Sequence, residues 1–186
     1  MSNSFKELES LCKDCQKCDL YSTRTNVVFG VGNNTSDIMF IGEAPGQQED
    51  LKGEPFVGRA GQLLDKYLAA INLDRTKIFI TNIVKCRPPN NRDPLPEEQK
   101  NCIDWLFSQI SLINPKIIIC VGRISAMQII KPDFKVTKEH GIFFEKDNIL
   151  YMGVYHPAAL LRNPNLKPDT LEDFLKIEEK LKELNK

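Results

Sequence analysis

The chain has 186 residues, 41% of them hydrophobic, and its 25 acidic side chains balance its 25 basic ones. This length and composition predict one globular domain over residues 1–186 with a substantial core. No apolar run approaches the roughly 18 residues of a membrane span, and the polar start MSNSFKELES is unlike a secretory signal, so a cytoplasmic protein is expected. Zero net charge excludes a global positive field, so any contact with nucleic acid must use a local basic patch.

Apolar periodicity predicts strands and helices that alternate along the chain. In chain order the predicted elements are a helix over 5–11, a strand over 37–41, a helix over 60–73, a strand over 77–84, a helix over 97–113, a strand over 116–122, a short helix over 123–130, a strand over 149–155 and a helix over 171–184. Loops are expected over 42–58 and across KCRPPNNRDPLP, whose four prolines exclude regular structure. Strands separated by helices, with connections too long for hairpins, indicate an α/β fold with a parallel sheet covered on both faces.

Polar residues follow three of the predicted strands at the point where each strand ends. In IMFIGEAPGQQED the apolar run stops at a turn whose glycines permit close approach of the backbone to a ligand, and Glu43 lies in that turn. Asn82 ends the second strand and His156 follows the fourth. The carboxyl ends of parallel strands share one edge of a sheet, so the three residues are expected to converge on one pocket. The alternative is an ordinary turn with a solvated Glu43.

Six cysteines in a chain expected in a reducing compartment indicate metal ligation or burial rather than disulfides. The candidate ligands form two pairs: Cys15 with Cys18, and Cys86 with Cys102. Four thiolates can hold zinc or an iron–sulfur cluster, and the wide spacing of the second pair favours the cluster. Cys12 and Cys15 have the same C-x-x-C spacing as Cys15 and Cys18, so spacing leaves open which cysteine is not a ligand. A further alternative is that none of the thiols binds a metal. Cys120, inside a predicted strand, is expected to be a buried apolar residue.

Three groups of motifs carry a resemblance to a known family: GEAPGQQED followed by PFVGRAGQLL, then TNIVKCRPPNNR, then HPAALLRNP. From Cys15 to Pro164 the chain resembles the family-4 uracil-DNA glycosylases, the iron–sulfur branch of that superfamily. The resemblance implies a three-layer α/β/α sandwich around a four-stranded parallel sheet. It implies a DNA-repair reaction in which the N-glycosidic bond of deoxyuridine is hydrolysed, which releases uracil and leaves an abasic site. It further implies a [4Fe-4S] cluster that ties the N-terminal segment to the domain through these ligands: Cys15, Cys18, Cys86 and Cys102. Cys12 is then an extra cysteine.

The resemblance also implies roles for the residues at the strand ends. Asn82 would read uracil, because an amide can accept a hydrogen bond from N3–H and donate one to O4, a pattern that cytosine does not present. The alternative is that Asn82 only caps a turn. His156 would hydrogen-bond uracil O2 as negative charge develops there. Glu43 would stabilise the positive charge on the sugar and orient water.

Further residues are expected around the base and the DNA backbone: Gly42, Ala44, Glu49 and Phe56 for the base, and Leu160, Leu161 and Arg162 for the DNA. Phe56 would stack on a base flipped out of the helix, unless it is an ordinary core residue. Glu49 would crowd the C5 position of uracil and so reject thymine, unless it is merely an exposed loop carboxylate. Leu160 or Leu161 would fill the gap left by the base, with Arg162 near a phosphate.

The expected partner is uracil-containing DNA, single- or double-stranded, bound by a monomer that makes no membrane contact. A local basic patch could come from four side chains, each of which could instead be a solvated surface charge: Lys85, Arg87, Arg92 and Arg123. A close relative that binds uracil-DNA covalently has a histidine in a KRRIH-like insertion, and the NNRDPLP of this chain lacks it. The other rival is a non-catalytic module, either a zinc-stabilised DNA-binding domain or a redox carrier.

Overall fold

A single sheet forms the centre of the structure, a computed structural model that describes residues 4–186. Residues 1–3, the start of the polar N-terminal stretch, lie outside the described residues. The strands are β1 (Val31–Gly32), β2 (Ile38–Gly42), β3 (Phe79–Asn82), β4 (Ile117–Val121), β5 (Phe143–Lys146) and β6 (Ile149–Val154). Their order is β1-β3-β2-β4-β6-β5. The four central strands β3, β2, β4 and β6 pair in parallel, and they are the four strands that the sequence predicts.

The sheet is larger than predicted and mixed rather than purely parallel. β1 pairs antiparallel with β3 at one edge, and β5 pairs antiparallel with β6 at the other, which gives six strands instead of four. β1 has two residues, too few to show any periodicity. β5 and β6 form a hairpin whose turn residues Asp147 and Asn148 have φ of 54° and 62°. Asp and Asn tolerate this left-handed conformation, which type I′ hairpin turns require, so the Asp-Asn pair was a hairpin signal in the sequence.

Helices cover both faces of the sheet. Their bounds are α1 (Phe5–Lys13), α2 (Gln47–Lys52), α3 (Arg59–Ala70), α4 (Pro96–Ile113), α5 (Arg123–Ile129), α6 (Val136–Glu139), α7 (Pro157–Arg162) and α8 (Lys167–Leu184). All five predicted helices are present. The expectation of a plain loop over 42–58 is wrong, because α2 lies within it, and α6 and α7 were not predicted. No helix within residues 4–186 has the length and apolar character needed to cross a membrane.

β2 shows why the core is divided into two halves. All five of its residues are buried. Ile38 and Phe40 pack in the cluster that includes residues of α3, α7 and α8, whereas Met39 and Ile41 pack in the cluster that includes residues of α4 and α5. A strand covered on both faces needs apolar side chains at every position, which explains the absence of polar alternation. The chain therefore folds as the predicted three-layer α/β/α sandwich.

A third, smaller apolar cluster holds the N-terminal segment. Leu8 and Cys12 of α1 pack there with Leu20, Val27, Phe29 and Cys86, and Trp105 of α4 packs against them. Trp105 also packs against the half of the main core on the side of α4, and the cluster contains one cysteine of the N-terminal segment, Cys12, and one that follows β3, Cys86. The N-terminal segment is therefore anchored to the domain through the surroundings of its cysteines.

Candidate active site

A cleft of about 710 Å³ opens at the carboxyl ends of the central strands. Glu43 directly follows β2, Asn82 is the last residue of β3, and His156 lies two residues after β6; all three line this cleft. Residues more than 100 positions apart are thereby brought together. Gly122, with φ of 100°, lies between two of them: a β-carbon there would lie 2.5 Å from Oε1 of Glu43 and 3.2 Å from the β-carbon of His156. The carboxylate and the imidazole therefore flank one glycine.

Glu43 is a half-buried carboxylate in this cleft. Its Oε1 accepts a hydrogen bond of 3.2 Å from the main-chain N–H of Ile124, in the first turn of α5. Burial raises the pKa of Glu43 above its ordinary value of 4.5, while this N–H and the positive charges of Arg123 and Arg162 act in the opposite direction. The carboxylate is thus fixed in position and accepts a proton more readily than an exposed glutamate does.

The hydrogen bonding of His156 defines which ring nitrogen can donate. Its Nδ1 accepts a hydrogen bond of 3.1 Å from the main-chain N–H of Ala158, so the proton of the neutral ring resides on Nε2. Removal from water lowers the pKa of His156 to about 4, and the positive charge of Arg162 contributes in the same direction. At neutral pH the site therefore contains an uncharged imidazole whose Nε2–H is free to donate. Its ring stacks on Phe56, with ring centroids 5.8 Å apart.

Asn82 is held in place on both its main-chain and side-chain sides. It is 2% exposed, and its carbonyl oxygen accepts a hydrogen bond of 2.9 Å from Nζ of Lys85. A β-carbon on Gly42 would lie 2.4 Å from Oδ1 of Asn82 and 2.5 Å from the ring of Phe56. Only glycine at position 42 permits this close contact of amide, ring and main chain.

Phe56 lines the cleft, belongs to the main core with 6% exposure, and has a left-handed backbone conformation with φ of 53°. Such a conformation is costly for an aromatic residue and persists only where neighbours enforce it. Here Arg75 donates hydrogen bonds to the carbonyl oxygens of Pro55 and Phe56. A β-carbon on Gly61 would collide with the same Phe56 carbonyl, so α3 begins in direct contact with this loop. Arg75 was not among the predicted site residues.

Glu49, on α2, lines the cleft and braces the Phe56 loop from the other side. Its Oε1 accepts hydrogen bonds of 3.0 Å from the main-chain N–H groups of both Val57 and Gly58. The side chain is half-buried, so the alternative of an exposed loop carboxylate is wrong. Glu49 therefore connects α2 to the loop that carries Phe56.

α7 presents its two leucines to different surroundings. Leu160 has no exposed surface and belongs to the main core, so the prediction that it could enter DNA is wrong. Leu161 is 38% exposed, and Arg162 is exposed and lines the cleft. Adjacent helical residues point about 100° apart, which explains why only one of the pair faces the core.

The basic side chains around the cleft differ from the predicted patch. Lys85 is 1% exposed, so its predicted place on a DNA-facing surface is wrong. Arg92 pairs with Glu98 at 2.7 Å and Arg123 with Asp93 at 3.3 Å. The arginines that line the cleft are Arg59, Arg92, Arg123 and Arg162, of which Arg59 was not predicted.

A second, small cavity is lined by five of the six cysteines: Cys12, Cys15, Cys18, Cys86 and Cys102. Three of these sulfurs accept a hydrogen bond from nitrogen: Cys15 from the Trp105 indole, Cys86 from the Arg24 guanidinium and Cys102 from Lys85 N–H. No residue among 4–186 donates such a bond to Cys12. Cys120 is fully buried in β4, as predicted. These three bonds measure 3.3 to 3.4 Å.

The chain matches the model of the uracil-DNA glycosylase superfamily over residues 29–182. The chain belongs to this superfamily. It is 49% identical to the type-4 uracil-DNA glycosylase of Archaeoglobus fulgidus, over 89% of this chain and 87% of that protein. It is 45% identical to the type-4 uracil-DNA glycosylase of Sulfurisphaera tokodaii, over 95% of this chain and 84% of that protein. For the type-4 enzyme of Thermotoga maritima the identity is 44%, over 88% of each chain.

Proposed function

We propose that this member of the uracil-DNA glycosylase superfamily excises uracil from DNA as a repair enzyme, by hydrolysis of the N-glycosidic bond of deoxyuridine. The observation that carries the proposal is the convergence of Glu43, Asn82 and His156 on one cleft. A stacked base is out of reach of any such cleft, so the deoxyuridine must be flipped out of the DNA to enter it. None of the six cysteines of the protein forms a disulfide, which suits a reducing compartment such as the cytoplasm.

Base recognition falls to the residues around Gly42. Asn82 accepts from uracil N3–H and donates to O4, and its burial means that a base unable to satisfy the amide would leave a polar group unpaired. Phe56 stacks on the base, and the main chain at Gly42 and Ala44 borders it. Glu49 faces the C5 position, and a methyl group there would press against a carboxylate already fixed by two N–H groups.

Cleavage separates charge, and the two sides of the cleft suit the two charges. As uracil departs, negative charge accumulates on the base and positive charge on the sugar. The Nε2–H of neutral His156 donates to uracil O2 and stabilises the negative charge on the base. The carboxylate of Glu43 stabilises the positive charge on the sugar and orients the attacking water. Main-chain N–H groups hold both side chains in position, so little reorganisation is needed.

The exposed end of the cleft is suited to the DNA backbone. Leu161 fills the space vacated by the flipped nucleotide, and Arg162 contacts a phosphate. Arg59 extends the positive surface along the cleft. These contacts supply the local basic patch that a chain of zero net charge requires.

The test of the function is uracil excision itself. The purified protein is incubated with an oligonucleotide that contains one uracil, in single- and double-stranded form and at several salt concentrations, and alkali then cleaves any abasic site. Strand cleavage is expected only where uracil was present, and a thymine-containing strand is the control. An intact uracil strand under every condition contradicts the proposal, and an intact strand that remains tightly bound supports the rival of a non-catalytic uracil-DNA-binding module.

We further propose that Cys15, Cys18, Cys86 and Cys102 hold a [4Fe-4S] cluster in a monomeric protein. The sulfurs of Cys15, Cys86 and Cys102 accept N–H bonds, which stabilise sulfur in its thiolate, metal-binding form, and Cys18 lines the same cavity. No group of three or more His, Cys, Asp or Glu side chains within residues 4–186 is arranged to hold a metal ion. Five cysteines line one cavity, which is a donor set large enough for the four thiolates that a cubane cluster needs. When bound, the cluster joins the N-terminal segment to the KCRPP loop and α4.

Serine replacements distinguish the four proposed ligands from Cys12. The Cys102→Ser protein is expected to lose most of its iron and its visible absorbance, because one corner of the cluster has no thiolate. Cys12→Ser, a replacement in the same cavity, is expected to keep both. Iron content and absorption spectra of anaerobically purified protein measure the difference. Cluster loss in Cys12→Ser with retention in Cys102→Ser would overturn the ligand assignment.

Gly42→Ala tests the close contact beneath the base. The added methyl would lie 2.4 Å from Oδ1 of Asn82 and 2.5 Å from the Phe56 ring, so one of them must move. We expect kcat/KM for uracil excision to fall at least tenfold, about 1.4 kcal/mol. Gly58→Ala is the matched control: its φ is −81° and its β-carbon would lie 3.4 Å from Oε1 of Glu49, so near-normal activity is expected. Equal activities of the two variants would contradict the tight contact.

A further inference from the structure

Lys85 is a buried cation whose hydrogen-bond partners are all neutral. Its Nζ donates to Oγ1 of Thr81 at 2.5 Å, to Oε1 of Gln109 at 2.7 Å and to the carbonyl oxygen of Asn82 at 2.9 Å. Among residues 4–186, no carboxylate lies within ion-pair distance of this ammonium. Three hydrogen bonds satisfy its protons but do not balance its charge, and an unbalanced charge in the interior is costly.

Lys85 also borders the cavity that the cysteines line. Its main-chain N–H donates to Sγ of Cys102 at 3.3 Å. An anion in this cavity would supply the charge that the neutral partners of Lys85 lack.

We propose that Lys85 is the internal counter-ion of the cysteine-bound iron–sulfur cluster, so that its ammonium charge sets the reduction potential of that cluster. The inference rests on the proposed cluster. Four thiolates outweigh the positive charge of the iron–sulfide core, so the assembly is anionic, and it becomes more so on gaining an electron. A positive charge fixed beside the cluster in a water-poor interior stabilises the reduced cluster, which carries the larger negative charge.

A purely structural role for Lys85 predicts a different set of results. If Lys85 only braced Thr81, Asn82 and Gln109, its removal would lower stability and leave the potential of the cluster unchanged. Stability alone therefore cannot separate the two roles, since three acceptors lose their donor in either case. The midpoint potential can, because it responds to charge near the cluster.

The experiment compares Lys85→Met with the wild-type protein by protein-film voltammetry at one neutral pH. This method records whichever one-electron couple the cluster uses. At a given potential the ratio of reduced to oxidised cluster is expected to be at least tenfold lower in Lys85→Met, a shift of about 59 mV toward negative potential. Lys17→Met is the matched control. Lys17 also lines the cavity and lies over Trp105, but it is exposed, so water screens its charge and a clearly smaller shift is expected.

A second variant keeps the test decisive if Lys85→Met does not fold. Gln109→Glu is nearly isosteric and places a carboxylate against Nζ of Lys85, which offsets the charge without removing the lysine. Its midpoint is expected to move in the same direction. A wild-type protein without iron would refute the proposed cluster. Cluster-containing variants at Lys85 and Gln109 with the wild-type midpoint would refute the counter-ion role alone.

Discussion

Glu43→Gln is expected to lower kcat for uracil excision by about 10²–10⁴-fold, the usual contribution of a positioned general base. Glutamine is uncharged and basic only to a negligible degree, so it neither stabilises the cationic sugar nor orients water. The fold should be unaffected, because the amide oxygen can still accept the hydrogen bond from Ile124 N–H that Oε1 accepts now. KM should change little, since Glu43 acts on the side of the sugar that becomes charged only during the reaction.

The pH dependence of the same variant supplies an independent check. Burial raises the pKa of Glu43, so its carboxylate is lost at a higher pH than that of an exposed glutamate. Wild-type activity should therefore fall, as pH decreases, through a single step above pH 4.5. His156, whose pKa is lowered to about 4, stays neutral through that step. In Glu43→Gln the step should be absent.

Asp93→Asn is the matched control for kcat, and it should keep the acid step, moved toward lower pH, because the negative charge of Asp93 contributes to the raised pKa of Glu43. Asp93 is another carboxylate on the wall of the cleft, but it is exposed and paired with Arg123. Its neutralisation should alter kcat by less than about threefold, since exposed ion pairs contribute little. A Glu43→Gln protein with wild-type kcat, or with the acid step intact, would exclude Glu43 from the reaction.

The parts of the fold that could be predicted are those that a short stretch of sequence determines. β2 has no polar residue between Ile38 and Ile41, and an uninterrupted apolar run of this kind requires two covered faces. The positions of Glu43, Asn82 and His156 followed from a single rule, that parallel strands point their carboxyl ends to one edge. The edge strands β1 and β5 escaped prediction because one is very short and the other depends on a two-residue turn.

The parts of the site that escaped prediction depend on contacts between distant segments. Arg75 is 19 residues from Phe56, and nothing near it in sequence indicates that it would bind that carbonyl. Leu160 and Leu161 are indistinguishable until the orientation of α7 on the core is known. Lysines are almost always exposed, so the sequence predicts a surface charge at Lys85; its burial depends on acceptors that only the folded chain assembles around it.

Lys85 also gives the two sites a common boundary. Its side chain holds the carbonyl oxygen of Asn82, and its main-chain N–H bonds the sulfur of Cys102. The residue that reads the base and a proposed ligand of the cluster thus contact the same lysine. Any change at Lys85 is therefore expected to affect Asn82 as well, which makes a direct test of Asn82 necessary.

Asn82→Asp is expected to lower kcat/KM for uracil excision by about 100-fold, or about 2.7 kcal/mol. The replacement is almost isosteric, but it exchanges the donor that faces uracil O4 for a carboxylate oxygen, so two acceptors face each other. At 2% exposure, water cannot relieve this repulsion. The loss should appear mainly in binding, so inhibition by free uracil should weaken in Asn82→Asp and remain normal in Glu43→Gln.

Asn91→Asp is the control for this amide. Asn91 lines the same cleft, is exposed, and uses Oδ1 to accept a hydrogen bond of 2.7 Å from Nε of Arg87. A carboxylate can accept that bond equally well, so kcat/KM should stay within about threefold of wild type. If Asn82→Asp released uracil and bound free uracil as the wild-type protein does, Asn82 would be a turn residue only. Discrimination of uracil from cytosine would then have to come from the main chain at Gly42 and Ala44.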